Sequence, residues 1–223
     1  MIHDAWIIAR KDLTIEFRTR SGIFSALVFA VLGLVIFYYA WDPTAVGSID
    51  LAPGVLWVVF TFSGLLGLNR SFAIEQSERA IDGLLASPAS RGGIFLGKAF
   101  ANLIFVAAVQ IVTVPALVLF YNFPIGRIAL PLIGILLLAA IGLCAVGTLF
   151  SSMAVNTKLA ELLLPMLALP FFVPIVIAAA QSTAKLLSGR PAMEAMPWLK
   201  LLLAFDLVFV LGCTLAYPFT IEE

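Results

Sequence analysis

The 223 residues are 62% hydrophobic and 12% charged, with zero net charge and a mean hydropathy of +1.11, where soluble domains carry roughly 25% charged residues. This composition excludes a soluble globular protein; at about 20 apolar residues per helical span it leaves room for six spans and no soluble domain of useful size. The balance of 13 basic and 13 acidic side chains gives no footing for nucleic-acid binding.

Residues 1–21 do not read as the short charged region of a signal peptide. Ile2, Trp6, Ala9, Leu13 and Phe17 share a helical face, with Lys11 and Arg18 elsewhere, which predicts a cytosolic interfacial helix leading into the membrane. Apolar runs then predict spans at about 23–40, 51–68, 99–120, 128–153, 159–180 and 198–219, so that residues 1–223 form one transmembrane domain. The runs must be helices, because hydrocarbon offers no partner for backbone N–H and C=O groups and the runs lack the alternation of barrel strands. Trp41 and Trp57, near the outer ends of the first two spans, and Trp198, entering the sixth, read as anchors of the aromatic belt.

Between the second and third spans lies the one long polar stretch, 69–98. Within it Ile74, Ile81, Leu84 and Leu85 fall on one helical face, while Glu75, Glu78, Arg79 and Asp82 recur on a neighbouring one. Such a helix lies at the membrane surface and either solvates a turn or presents its charged face to a soluble partner. Pro88 should end it, and Gly92 and Gly93 should loosen the return to the membrane. The run Gly92-Gly93-Ile94-Phe95-Leu96-Gly97-Lys98-Ala99 imitates a phosphate-binding loop. However, Ala99 stands where a magnesium-ligating Ser or Thr is needed, and no buried strand precedes it. Lys98 reads instead as a snorkelling side chain, and ATP hydrolysis falls to another chain.

The fifth span carries Pro165, Pro170 and Pro174, each of which removes a backbone donor; the helix either lines a conduit or bends to pack. Short apolar pieces with Gly189, Pro191 and Pro197 predict re-entrant or surface helices over 181–197. Asp206 stands inside the sixth span, where a carboxylate costs roughly 2.5 to 3.5 kcal/mol. It is either functional or reaches interfacial water or a polar neighbour. Cys144 and Cys213 sit within apolar runs and read as small packing residues. The single histidine, His3, excludes an intramembrane histidine metal site or Ser/His pair within this chain; no metal site and no catalytic residue is expected.

Lysine and arginine set the orientation. With the amino terminus inside, Arg10, Lys11, Arg18, Arg20, Arg70, Arg79, Arg91, Lys98 and Lys158 are cytosolic, and Arg127, Lys185, Arg190 and Lys200 are outside, in line with the positive-inside bias. Both termini are then cytosolic.

Three stretches together resemble the CcmB family, the permease subunit of the ABC-type haem exporter of cytochrome c maturation. They are Ala52-Pro53-Gly54-Val55-Leu56-Trp57-Val58, the loop from Arg70 and Phe72 through Glu78, Ile81, Asp82, Leu84 and Pro88 to Leu96 and Lys98, and Leu169-Pro170-Phe171-Phe172-Val173-Pro174. Arg79 stands where the family pattern has Gly, and Asn69 where it has an acidic residue. The resemblance implies an all-α, six-span, ABC-2-like exporter permease of the bacterial inner membrane. Its amino-terminal helix would be interfacial and 69–98 would hold a cytosolic coupling helix. It further implies pairing with a second copy and with ATP-hydrolysing subunits that hold ATP and Mg. The other implied partners are a tryptophan-rich haem-handling membrane protein, a small one-span protein and a periplasmic haem chaperone. Haem is the implied substrate and not a resident cofactor. Glu75, Glu78, Arg79, Asp82, Ile81, Leu84, Leu85 and Pro88 would dock the ATPase. The complex would export haem or release its chaperone; a non-conducting scaffold that relays ATPase motion, or the permease of another ABC exporter, are the alternatives.

Overall fold

A computed structural model describes residues 1–77, 89–122, 124–154 and 160–221, with backbone alone at 70–77, 127, 160–162 and 221. Seven α-helices run α1 Ile2–Thr19, α2 Ser21–Ala40, α3 Ser48–Ser77, α4 Arg91–Tyr121, α5 Ala129–Ala154, α6 Ala160–Leu187 and α7 Ala192–Ile221, with a 3-10 turn at Ile125–Arg127. The last six each contain a stretch long and apolar enough to cross a membrane. α1, the start of α4 and the end of α7 share one end of the bundle, since Gly92 of α4 faces both Met1 and Thr214.

The spans are not equivalent. Of its apolar length α3 buries 72%, against 17% for α2 and for α7, so α3 is the central helix, packed on α2, α4, α5 and α6. Small residues permit the close approach that replaces the hydrophobic effect between helices in lipid. On α2 the buried side is Gly22, Ala26, Ala30 and Leu34, and a Cβ added at Gly33 would lie 3.2 Å from the Val59 side chain of α3. Outward stripes such as Phe24, Val28, Leu32 and Ile36 on α2 are exposed, as suits a lipid-facing surface.

Trp57 is not a belt anchor. It is fully buried in α3, and its indole N–H donates to Thr183 Oγ1 of α6 over 3.1 Å. The apolar run around it belongs to the most enclosed helix, so the ring is drawn inward and the indole finds its partner there. Trp57→Phe should lower the melting temperature of the purified protein by an amount equivalent to about 0.6 to 1.7 kcal/mol. Adding Thr183→Val should cost little more; full additivity in that cycle would refute the bond. Trp41 does lie at the end of its span, just after α2, stacked on Tyr121 at 5.9 Å and donating to the Val46 carbonyl.

The re-entrant or surface helices expected over 181–197 are absent. Residues 181–187 continue α6, because Ser182 and Thr183 satisfy their hydroxyls on the Ala178 and Ala179 carbonyls without breaking the helix. Gly189, at φ +67°, makes the tight turn, and α7 begins at Ala192 with Pro197 inside it. Lys185 and Arg190 both reach Glu194, at 3.7 and 3.2 Å, which partly neutralises the basic turn between α6 and α7. Along α6 the buried face is Leu164, Ala168, Phe172, Ile175, Ala178 and Ala179. The prolines flank that face, with Pro165 and Pro174 half-buried and Pro170 exposed.

Candidate functional site at the loop between the second and third spans

The central helix does not stop at the end of its apolar run. It continues as helix to Ser77, carrying Glu75 on its final turns, and so feeds directly into the charged stretch. Glu78, Arg79, Ile81, Asp82, Leu84, Leu85 and Pro88 lie outside the described residues, as does the side chain of Glu75. The return is a helix as well. α4 begins at Arg91, eight residues before the expected span, so Gly92 and Gly93 belong to the helix and do not loosen a loop.

The glycines have a packing role. A Cβ at Gly97 would lie 2.6 Å from the Ala5 carbonyl oxygen and 2.9 Å from Ile8 Cβ. At Gly93 it would lie 3.0 Å from the Met1 carbonyl oxygen and 3.2 Å from Asp4 Cβ. Gly93 and Gly97, four residues apart on α4, thus receive α1 backbone to backbone, with Ile8 and Ala9 buried at 5% and 1% exposure. What imitates a phosphate loop is a helix-docking groove.

Polar contacts bracket it. Ser90, the residue before α4, donates to Asp4 through its amide at 3.4 Å and its hydroxyl at 3.2 Å. This sets a carboxylate at the helix amino terminus, where unpaired N–H groups favour negative charge. The amino-terminal ammonium, then these Ser90 bonds, hold the Asp4 carboxyl below its ordinary range. Farther along, Lys98 is 4% exposed and lies 3.6 Å from Asp12, which Lys11 also meets at 3.1 Å. Lys98 is therefore buried against α1 and does not snorkel; a long cation facing a docked helix is held by the carboxylate that helix supplies.

The inner layer beneath α1 joins four helices. Ile8, Ile94, Phe95, Ala145, Cys213 and Tyr217 form one buried cluster, with Phe95 and Tyr217 ring to ring at 5.4 Å. The exposed apolar side chains Ile2, Trp6 and Phe17 complete α1 as an interfacial helix. Of the face expected to share one environment, Ala9 turns inward and Leu13 is half-buried. A single residue, Arg20 at φ 55°, separates α1 from α2, and Glu16 fixes the corner by accepting the Ile23 amide at 3.2 Å.

The structure brings together Asp4, Asp12, Ser90, Gly93, Gly97 and Lys98, a clasp that sequence reasoning missed. Its signal was the pairing of Gly-x-x-x-Gly at 93 and 97 with Ala-x-x-x-Ala at 5 and 9. Asp206 is remote from it, midway along α7. Both cysteines are buried in the packing, and among the described residues no three His, Cys, Asp or Glu side chains cluster to hold a metal.

An all-helical chain with six apolar spans, a clasped interfacial helix and a charged loop rooted in the central span is a multi-pass membrane protein of the permease type. The chain belongs to the CcmB protein family, which matches residues 3–223. It is similar to the heme exporter protein B of Paracoccus denitrificans, 28% identical over 189 residues that cover 85% of this chain and 86% of the relative. The heme exporter protein B of Pseudomonas aeruginosa is 25% identical over 201 residues, covering 90% of each chain. That of Escherichia coli K12 is 28% identical over 97 residues, 44% of each.

Proposed function

We propose that this chain is the transmembrane subunit of an ATP-driven ABC complex that exports haem, or releases a haem chaperone, in cytochrome c maturation. It sits in the bacterial inner membrane with both termini and the loop after α3 in the cytosol. One observation carries the reading: the most enclosed span runs unbroken into the charged segment. A displacement imposed at 78–88 is thereby delivered to the middle of the bundle through α3, and to its flank through α4 and α1. The chain has no phosphate loop of its own, so nucleotide and Mg belong to separate ATPase subunits docked on Glu75, Glu78, Arg79 and Asp82, with Ile81, Leu84 and Leu85 setting depth and Pro88 ending the docking helix. Charge sets partner choice and on-rate there, and the apolar face supplies the buried contact. A second copy, a tryptophan-rich haem-handling protein, a one-span protein and a periplasmic chaperone complete the assembly.

A second reading is favoured by the filled centre of the bundle. Leu56, Trp57, Val59 and Phe60 of α3 are each at most 2% exposed, so any path for a substrate as broad as haem runs along an interface with another subunit, or the chain relays motion without passing substrate. Proteoliposomes that contain the chain with its ATPase and partner subunits separate the two. ATP-dependent movement of haem across the bilayer is expected; ATP turnover with no flux would establish the relay instead.

A further inference from the structure

Asp206 is the one buried acidic side chain in the middle of a described span. It lies halfway along the 30-residue helix α7, six residues and so about 9 Å along the axis beyond the exposed Lys200. The carboxyl is 5% exposed, and both of its oxygens are buried without a hydrogen-bond partner. Among the described residues no polar neighbour answers the carboxyl. Instead it fills a slot between α5 and α6. A Cβ added at Gly142 would lie 2.6 Å from Asp206 Oδ1 and 3.0 Å from the Ile175 side chain, so the absence of a side chain at Gly142 makes the space.

Among the described residues no counter-charge is available there. The whole of α5, Ala129–Ala154, contains no Asp, Glu, Lys, Arg or His. In α6 the charges are Glu161 and Lys185, at its two ends; in α7 they are Glu194 and Lys200 near its start, with Lys200 exposed. The charges of α4, Arg91 and Lys98, lie in its first turns beside α1. A carboxylate isolated in this way costs several kcal/mol even after relaxation, and such a group neutralises instead. The neutral acid removes that charge, and at Gly142 the backbone can offer Oδ1 only a weak Cα–H donor.

We propose that Asp206 is a proton-binding site at the junction of α5, α6 and α7. In the packed arrangement the carboxyl holds its proton. When the three helices part far enough to admit water, the O–H bond breaks, the electron pair stays on the oxygen and the proton leaves with water. The resulting charge then opposes re-closure until a proton returns. The ligand is the proton alone. No partner cation can replace it without opening the junction, because Asp206 faces inward, toward Gly142.

Infrared difference spectroscopy of the membrane-reconstituted complex, wild type minus Asp206→Asn, tests this at neutral pH. The expected result is loss of one carboxylic-acid carbonyl band, and a band in the wild type that deuterium oxide shifts slowly, over minutes. A lost pair of carboxylate bands would overturn the proposal, as would a carbonyl band that deuterates within the mixing time. Should Asp206→Asn fail to accumulate, Gly142→Ala serves in its place: its new Cβ presses on Oδ1 and must move the same band, and an unmoved band means that the acid is another residue. The reading does not rest on haem. With the ATPase subunits present, faster deuteration on adding ATP is expected; an unchanged rate would overturn the coupling of this site to helix separation while leaving the export reading intact.

Discussion

Glu78→Lys combined with Asp82→Lys should leave the chain in the membrane and abolish its co-purification with the ATPase subunit. The two carboxylates fall four residues apart and so share a helical face; reversing both changes the local charge by four units. Like charges set against one another across an interface cost several kcal/mol. Since each 1.4 kcal/mol is tenfold in affinity, a loss of about a thousandfold is expected, ample to dissociate a complex during purification. Asp50→Lys, an exposed change in the first turn of α3 at the other end of the bundle, supplies the control and should assemble normally. Retention of the ATPase by the double variant would remove this loop as the docking element. Arg79, the least typical residue of the face, tests specificity in the same assay: Arg79→Gly should keep assembly because the acidic spacing is untouched.

Gly97→Leu should release α1. Around this position the obstacle is backbone: the Ala5 carbonyl oxygen at 2.6 Å and Ala5 Cα at 3.1 Å, neither of which can turn aside as a flexible side chain can. Overpacking of this kind costs typically 1 to 3 kcal/mol, and here it also separates Lys98 from Asp12. Proteolysis of a locally opened segment follows the population of the open form, so that cost translates into roughly 10- to 100-fold faster tryptic cleavage after Arg10 and Lys11. Gly134→Leu, at a glycine with nothing within 4 Å, should leave cleavage unchanged. Equal cleavage of wild type and Gly97→Leu would show that α1 is not held by this groove. If the clasp matters for coupling, the same variant should uncouple ATP turnover from transport while retaining the ATPase, because the docking face at 78–82 is distinct from it.

The two experiments divide the charged segment into its working parts. Its first half is rooted in α3 and bears the charges proposed to face the partner. Its second half is the beginning of α4 and belongs to the clasp. Reading 69–98 as a single polar loop hid that division, since Gly92, Gly93 and Gly97 look alike whether they loosen a loop or admit a helix. Neighbouring residues decide between those readings, and they lie more than eighty positions away, at Asp4, Ala5 and Ile8.

The sequence by itself determined the number of spans, their approximate limits and their helical state. These follow from a local rule: hydrocarbon demands about twenty apolar residues whose backbone bonds close within the segment. It also placed the interfacial helix, whose amphipathic pattern is likewise local, and supported the family through motifs read in order along the chain. Only the tertiary structure decided which side of each helix meets which neighbour. It buried Trp57 against Thr183 and Lys98 against Asp12, made Gly97 a seat for α1, and enclosed Asp206 behind Gly142. In lipid, apolar faces are alike toward solvent and toward one another, so hydropathy carries no signal for these choices. They are made by close packing and by the few polar groups that must find partners inside.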